Sequence, residues 1–140
     1  MRKSNTTIIA GVGMVAFGKP GASDNYDVMG ESAIREALAD SGLDFTHIKQ
    51  AYAGYVYGDS TCGQKVIYKV GMTGIPVFNV NNNCSTGSSA LFMARQAVES
   101  GLVDCALAVG FEQMQPGALG SVWDDPVSYT HLRAHETRPY

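Results

Sequence analysis

The succession of short apolar runs and longer amphipathic stretches predicts an α/β fold, a mixed but mostly parallel sheet with helices on both faces. β-branched and aromatic runs alternate with stretches of helical period along the chain. The run at residues 105–109 is apolar throughout, as in a strand covered from both sides. Glycine, 16 of 140 residues, exceeds the usual ~7% and falls mainly where one element gives way to the next.

Taken in order, residues 6–12 (TTIIAGV) are short, β-branched and apolar, which predicts a buried first strand. Gly18, Pro20 and Gly21 break it. Asp24 is a candidate N-cap for a helix reaching Ser41, with Val28, Ala33, Ile34, Ala37 and Leu38 on one face and Gly42 as its stop. Residues 51–57 form a second strand candidate, and 63–70 lean towards helix. Residues 71–76 are a loop before a third strand at 77–80. The period turns helical again over 87–100, with Leu91, Ala94, Ala97 and Val98 on one side and Gly101 after it. The fourth strand is 105–109. Residues 127–140 show no sustained period, and SYTHLRAHET within them resembles translated adapter sequence. We read 1–126 as the domain and 127–140 as a non-native tail outside the functional argument.

Composition narrows the function. With 10 basic and 13 acidic residues the net charge is −3, and no basic patch points to nucleic acid. The longest uncharged stretch, 70–94, is full of Asn, Ser, Gly and Pro, so no membrane span is expected. Residues 1–5 lack the apolar run of a secretory leader, and three cysteines do not suggest a disulfide framework. A soluble intracellular chain is the expectation.

Two motifs invite chemistry. Gly11-Val-Gly13-Met-Val-Ala16 fits G-x-G-x-x-A after a strand, yet glycine and proline follow where a dinucleotide site needs a helix. A glycine-rich turn is the better reading. The other is Asn81-Asn82-Asn83-Cys84-Ser85-Thr86-Gly87, between a strand and a helix rich in small residues. It places Cys84 at a helix N-terminus, where unpaired N–H groups and the dipole favour a thiolate; the alternative is a structural cysteine in a tight turn. An ordinary thiol is only about 3% ionised at neutral pH, and a pKa near 7 needs roughly 2 kcal/mol. A helix terminus supplies about 0.3–1 kcal/mol, so a base is required. Outside the tail the only histidine is His47, in a loop-like and exposed-looking stretch, while His131 and His135 lie in the tail. Cys105 opens an apolar run and reads as core.

The pattern V-N-x-x-C-x-x-G-x-x-A over 80–90 resembles the nucleophile motif of thiolases, and Gly110-Phe-Glu112-Gln-Met114 resembles their G-x-E-x-M segment, with Gln115 where many members have Ser. Residues 54–64, 71–76 and 90–95 are similar to the thiolase domain of sterol carrier protein x. The resemblance covers about 6–119 and implies most of the first half of a five-layered enzyme of two similar halves. It implies cleavage of 3-oxoacyl-CoA: a cysteine, matched here by Cys84, takes the acyl group, acetyl- or propanoyl-CoA leaves, and a second coenzyme A accepts the acyl chain. The family's base histidine, second cysteine and oxyanion-hole histidine have no counterparts in the chain. Also implied are coenzyme A as co-substrate with no tightly bound cofactor and no metal, a homodimer with Cys62 in a loop near the partner, and a peroxisomal setting in lipid oxidation and lipid transport. A ketoacyl-synthase-type condensing enzyme, and a non-catalytic fragment that binds a full-length subunit, are the rivals.

Overall fold

A computed structural model describes residues 6–117; the tail at 127–140 lies outside them. Three helices and three strands follow one another as α1 (Tyr26–Ser41), β1 (Gln50–Gly54), α2 (Cys62–Val70), β2 (Val77–Val80), α3 (Thr86–Glu99) and β3 (Ala106–Gly110). A 3-10 turn, Phe45–His47, precedes β1. The strands form one parallel sheet in the order β2-β1-β3, with Gly54 opposite Val80 on one side and Gly110 on the other. The mostly parallel α/β expectation holds.

Period-two alternation splits β1 between two cores. Ala51 and Ala53 face Ile34 of α1 and Val66 and Ile67 of α2, joined by Leu107 and Val109 of β3. Tyr52 faces the other way, onto Ala90, Ala94 and Ala97 of α3. Helices thus cover both faces. On α3 the buried positions are Thr86 at its start and three alanines, while Leu91, Phe92 and Met93 are exposed. The expected inward Leu91 is therefore a correction: alanines let the helix sit close to the sheet, and its large apolar residues turn outwards. Val28 of α1 is likewise exposed, at 41%.

The first predicted strand is also corrected. Residues 6–12 pair with no strand among the described residues, and Ile8, Ile9 and Val12 are 77%, 65% and 66% exposed. The segment is held on α1 instead, Val12 N–H donating to Asp40 Oδ2 and Met14 N–H to Glu36 Oε2, both at 2.9 Å. The two glycines of the G-x-G motif make this possible. A Cβ on Gly11 would collide with Ala37 O, and one on Gly13 with Ala33 O. They serve backbone-to-helix approach rather than a cofactor.

The interface of α1 and α2 holds a buried carboxylate. Asp27 is 7% exposed and pairs with Lys69 Nζ at 2.8 Å and Lys65 Nζ at 3.6 Å. The hydrogen bond from Lys69 holds its carboxyl below the usual range against the opposing effect of burial, and Lys65 adds to the shift. Nearby, Gly30 lies so close to α2 that a Cβ there would stand 2.6 Å from Val66 Cγ1.

Two outcomes follow for stability. The folded-state pKa of Asp27 lies below the unfolded one, so its contribution is complete above the ordinary carboxylate range and is lost as pH falls through it. Asp27→Asn should cost about 1–3 kcal/mol at neutral pH and flatten that acid-side loss in urea titrations read by circular dichroism. Gly13→Ala should cost about 1–3 kcal/mol in the same assay, because its methyl meets helix backbone that cannot move aside.

Candidate active site

Parallel strands in register end at one edge, and in open α/β sheets the crevice beyond that edge is where ligands bind. Three turns start there, after Gly54, Val80 and Gly110. The turn after β2 carries Cys84, two residues before the first residue of α3, and the thiol is exposed.

A knot of short hydrogen bonds shapes this turn. Thr86, 5% exposed, accepts from Asn82 N–H at 2.8 Å through Oγ1 and donates to Asn83 O at 2.6 Å. Ser85 N–H donates to Asn82 O at 3.0 Å and Thr86 N–H to Asn83 O at 3.1 Å. Asn81 Oδ1 accepts from Asn83 N–H at 3.1 Å, and Asn82 Nδ2 donates to Ser89 Oγ at 2.9 Å. Asn83 sits at φ 49°, the left-handed region that asparagine tolerates better than most residues. That reversal presents the next residue, Cys84, outwards. Its Sγ lies 3.9 Å from Asn83 Oδ1, a weak contact.

The neighbouring strand ends carry glycine, and at Gly54 the fit requires it. A Cβ on Gly54 would stand 2.9 Å from Thr86 Cγ2, and one on Gly110 3.7 Å from Gly87 Cα. A Cβ on Gly87 meets nothing within 4 Å. The positive end of the α3 dipole faces this turn and favours charge that develops as negative. Ser85 and Thr86 already spend their N–H groups inside the turn.

The other cysteines differ. Cys62 is not in a loop, which corrects the expected placing: it opens α2, 4% exposed, beside the Gly58 turn and the Tyr26 hydroxyl. The neighbouring thiol, then burial, pushes the Tyr26 hydroxyl up to about 12. Cys105 is half-buried beside the core, just before β3, and burial pushes its thiol up against the opposing charge of Lys49. His47 ends the 3-10 turn before β1, with its Nδ1 3.1 Å from Asp44 O. It therefore stands at the opposite end of the sheet from the Cys84 turn, separated by the length of β1, five residues rising ~3.3 Å each. Among the described residues no group of three His, Cys, Asp or Glu side chains is placed to hold a metal, and no helix is long and apolar enough to cross a membrane.

Asn83, Thr86 and Glu112 shape this edge without having been singled out for it by sequence. A run of three asparagines before the cysteine was the available signal for the first. The sequence model of the thiolase N-terminal domain matches residues 7–124. The chain belongs to the thiolase family. Sterol carrier protein 2 of Gallus gallus is 55% identical over 119 residues, covering 84% of this chain and 22% of that protein. A benzoylsuccinyl-CoA thiolase subunit of Thauera aromatica is 37% identical over 114 residues, 80% of this chain and 29% of its own. Among solved structures, a priming β-ketosynthase of a polyketide pathway superposes with a TM-score of 0.60 at 29% identity, over 65% of this chain and 28% of that one. A β-ketoacyl-[acyl carrier protein] synthase III of Thermus thermophilus, at 20% identity and a TM-score of 0.57 over 78% of this chain and 34% of that one, shares the fold. The chain thus spans about a fifth of the sterol carrier protein 2 relatives, 22% of their length.

The three thiols should separate under limiting iodoacetamide at neutral pH. Cys84 should take most of the label, Cys105 less and Cys62 least, as mapped by mass spectrometry of peptides. Gly87→Ala should leave the fold intact or raise its stability by about 0.5–1 kcal/mol, since its methyl enters open space on a helix.

Proposed function

We propose that this chain supplies the acyl-accepting cysteine of a thiolase that cleaves 3-oxoacyl-CoA. The observation that carries the reading is an exposed Cys84 at the strand-end turn ahead of α3. In the proposed reaction Cys84 Sγ bonds to the 3-oxo carbon and the C2–C3 bond breaks. Its electron pair stays on C2, which takes a proton as acetyl- or propanoyl-CoA leaves. The thiol of a second coenzyme A then takes the acyl group and returns the proton to the cysteine. No metal and no tightly bound cofactor enters this scheme.

The proposed domain is 1–126, with 127–140 taking no part. The likeness to sterol carrier protein 2 supports a peroxisomal setting in fatty-acid and sterol side-chain oxidation, linked to lipid transport. Leu91, Phe92 and Met93 on α3 and Phe78 on β2 are 36–58% exposed, and an apolar surface of this kind supports association into a homodimer in the parent enzyme. The condensing-enzyme alternative draws on the likeness to the priming β-ketosynthase. Its acyl-cysteine would be attacked by a carbon nucleophile instead of coenzyme A.

His47 is too far to act as base, and losing such a group costs about 10²–10⁴ in rate. The purified chain should therefore show no thiolysis of a 3-oxoacyl-CoA above background. Transfer of an acyl group from a saturated acyl-CoA needs no C–C cleavage, and over hours it should leave a mass increment on Cys84 that coenzyme A removes. An increment on another residue, or one undiminished in Cys84→Ala, would overturn the proposal.

A further inference from the structure

The segment after β3 carries contacts that holding Cys84 does not explain. Phe111 N–H donates to Gly54 O at 3.1 Å, and its ring stacks on Tyr26 and Tyr55 at centroid distances of 5.4 and 5.1 Å. Gln113 Oε1 accepts from Tyr26 N–H at 3.0 Å, at the start of α1. Between them, Glu112 spans two consecutive amides: Oε2 accepts from Val56 N–H at 2.9 Å and Oε1 from Tyr57 N–H at 3.1 Å. Hydrogen bonds to an ionised acceptor are roughly twice as strong as neutral ones, and a two-point attachment fixes orientation as well as distance.

The loop so held, 55–61, leaves β1 at the edge where Cys84 stands. Tyr55 N–H donates to Val80 O at 3.3 Å, the last residue of β2 before the cysteine turn. Gly54, just ahead of the loop, lies against Thr86, whose hydroxyl knots that turn. Loop and turn therefore share one seam.

We propose that Glu112 is a positioning residue that fixes loop 55–61 as one wall of the crevice at Cys84, and so limits the bulk of acyl group that reaches the thiol. It acts through backbone amides and touches no substrate. The inference rests on the reading of Cys84 as the acyl acceptor.

The test uses the full 140-residue chain with Glu112→Gln and Glu112→Asp. Glutamine keeps the size but turns an NH2 towards one of the two N–H donors. Aspartate keeps the charge but is one methylene short of spanning both. Amide hydrogen exchange at Val56 and Tyr57 should quicken about tenfold or more in either variant, the scale for losing a hydrogen bond to a charged group. The ratio of Cys84 modification by a bulky N-aryl maleimide to that by iodoacetamide should rise about threefold or more. Unchanged exchange, or faster exchange with an unchanged ratio, would overturn the proposal. The unaltered chain gives a reading even where a variant fails to fold. Its Val56 and Tyr57 amides should be at least about tenfold more protected than those of Gly58 and Ser60, and equal protection would overturn the clamp. Failure of the Cys84 reading shows separately, as a Cys84 that is labelled no faster than Cys105 in the unaltered chain.

Discussion

The hydrogen-bonded ladder of β1 between β2 and β3 decides where the site can be, because strands that run parallel and in register must release their chains at the same edge. On the side of α1 and α2, β1 carries only small side chains. Ala51 and Ala53 are fully buried against α1 and α2, and Gly54 leaves room for Thr86. Once that strand is set, the turns after Gly54, Val80 and Gly110 are neighbours although they lie far apart in sequence. The cysteine, the loop after β1 and the carboxylate after β3 are products of one constraint.

Within that edge, the division of labour is electrostatic. The cysteine turn spends its own amides on Asn82 O and Asn83 O, which makes it rigid and leaves the α3 dipole as its contribution to a developing negative charge. Such a terminus supplies only about 0.3–1 kcal/mol, short of the roughly 2 kcal/mol that a thiol pKa near 7 needs. The single histidine among the described residues is set by the Asp44 turn at the far end of β1, out of reach. Cys84 and His47 thus stand at opposite ends of the sheet.

The sequence made the cysteine legible for a local reason. A strand, a polar turn and a small-residue helix follow one another within about fifteen residues, and local order of that kind is written in hydrophobic period and turn chemistry. Glu112 was visible only as one letter of a resemblance, because its partners Val56 and Tyr57 are 56 and 55 residues away and are backbone groups with no side-chain signature. The same physics explains the misplaced end of β1. Residues 55–57 have strand-like side chains, yet the strand stops at Gly54 because a carboxylate, not a neighbouring strand, takes the amides of Val56 and Tyr57.

Residues 6–12 show the converse. Their composition is that of a buried strand, and a strand is buried only where a partner takes its backbone groups. Here α1 offers Glu36 and Asp40 to the amides of Met14 and Val12, and the glycines bring the chain down onto the helix, so the segment is fixed in place without a ladder. Ile8, Ile9 and Val12 are left facing outwards, as are Leu91 and Phe92 on the other side of the sheet. The large apolar side chains that face the sheet come instead from Ile34 of α1 and Val66 and Ile67 of α2, while residues 6–12 and α3 reach their neighbours through glycine and alanine.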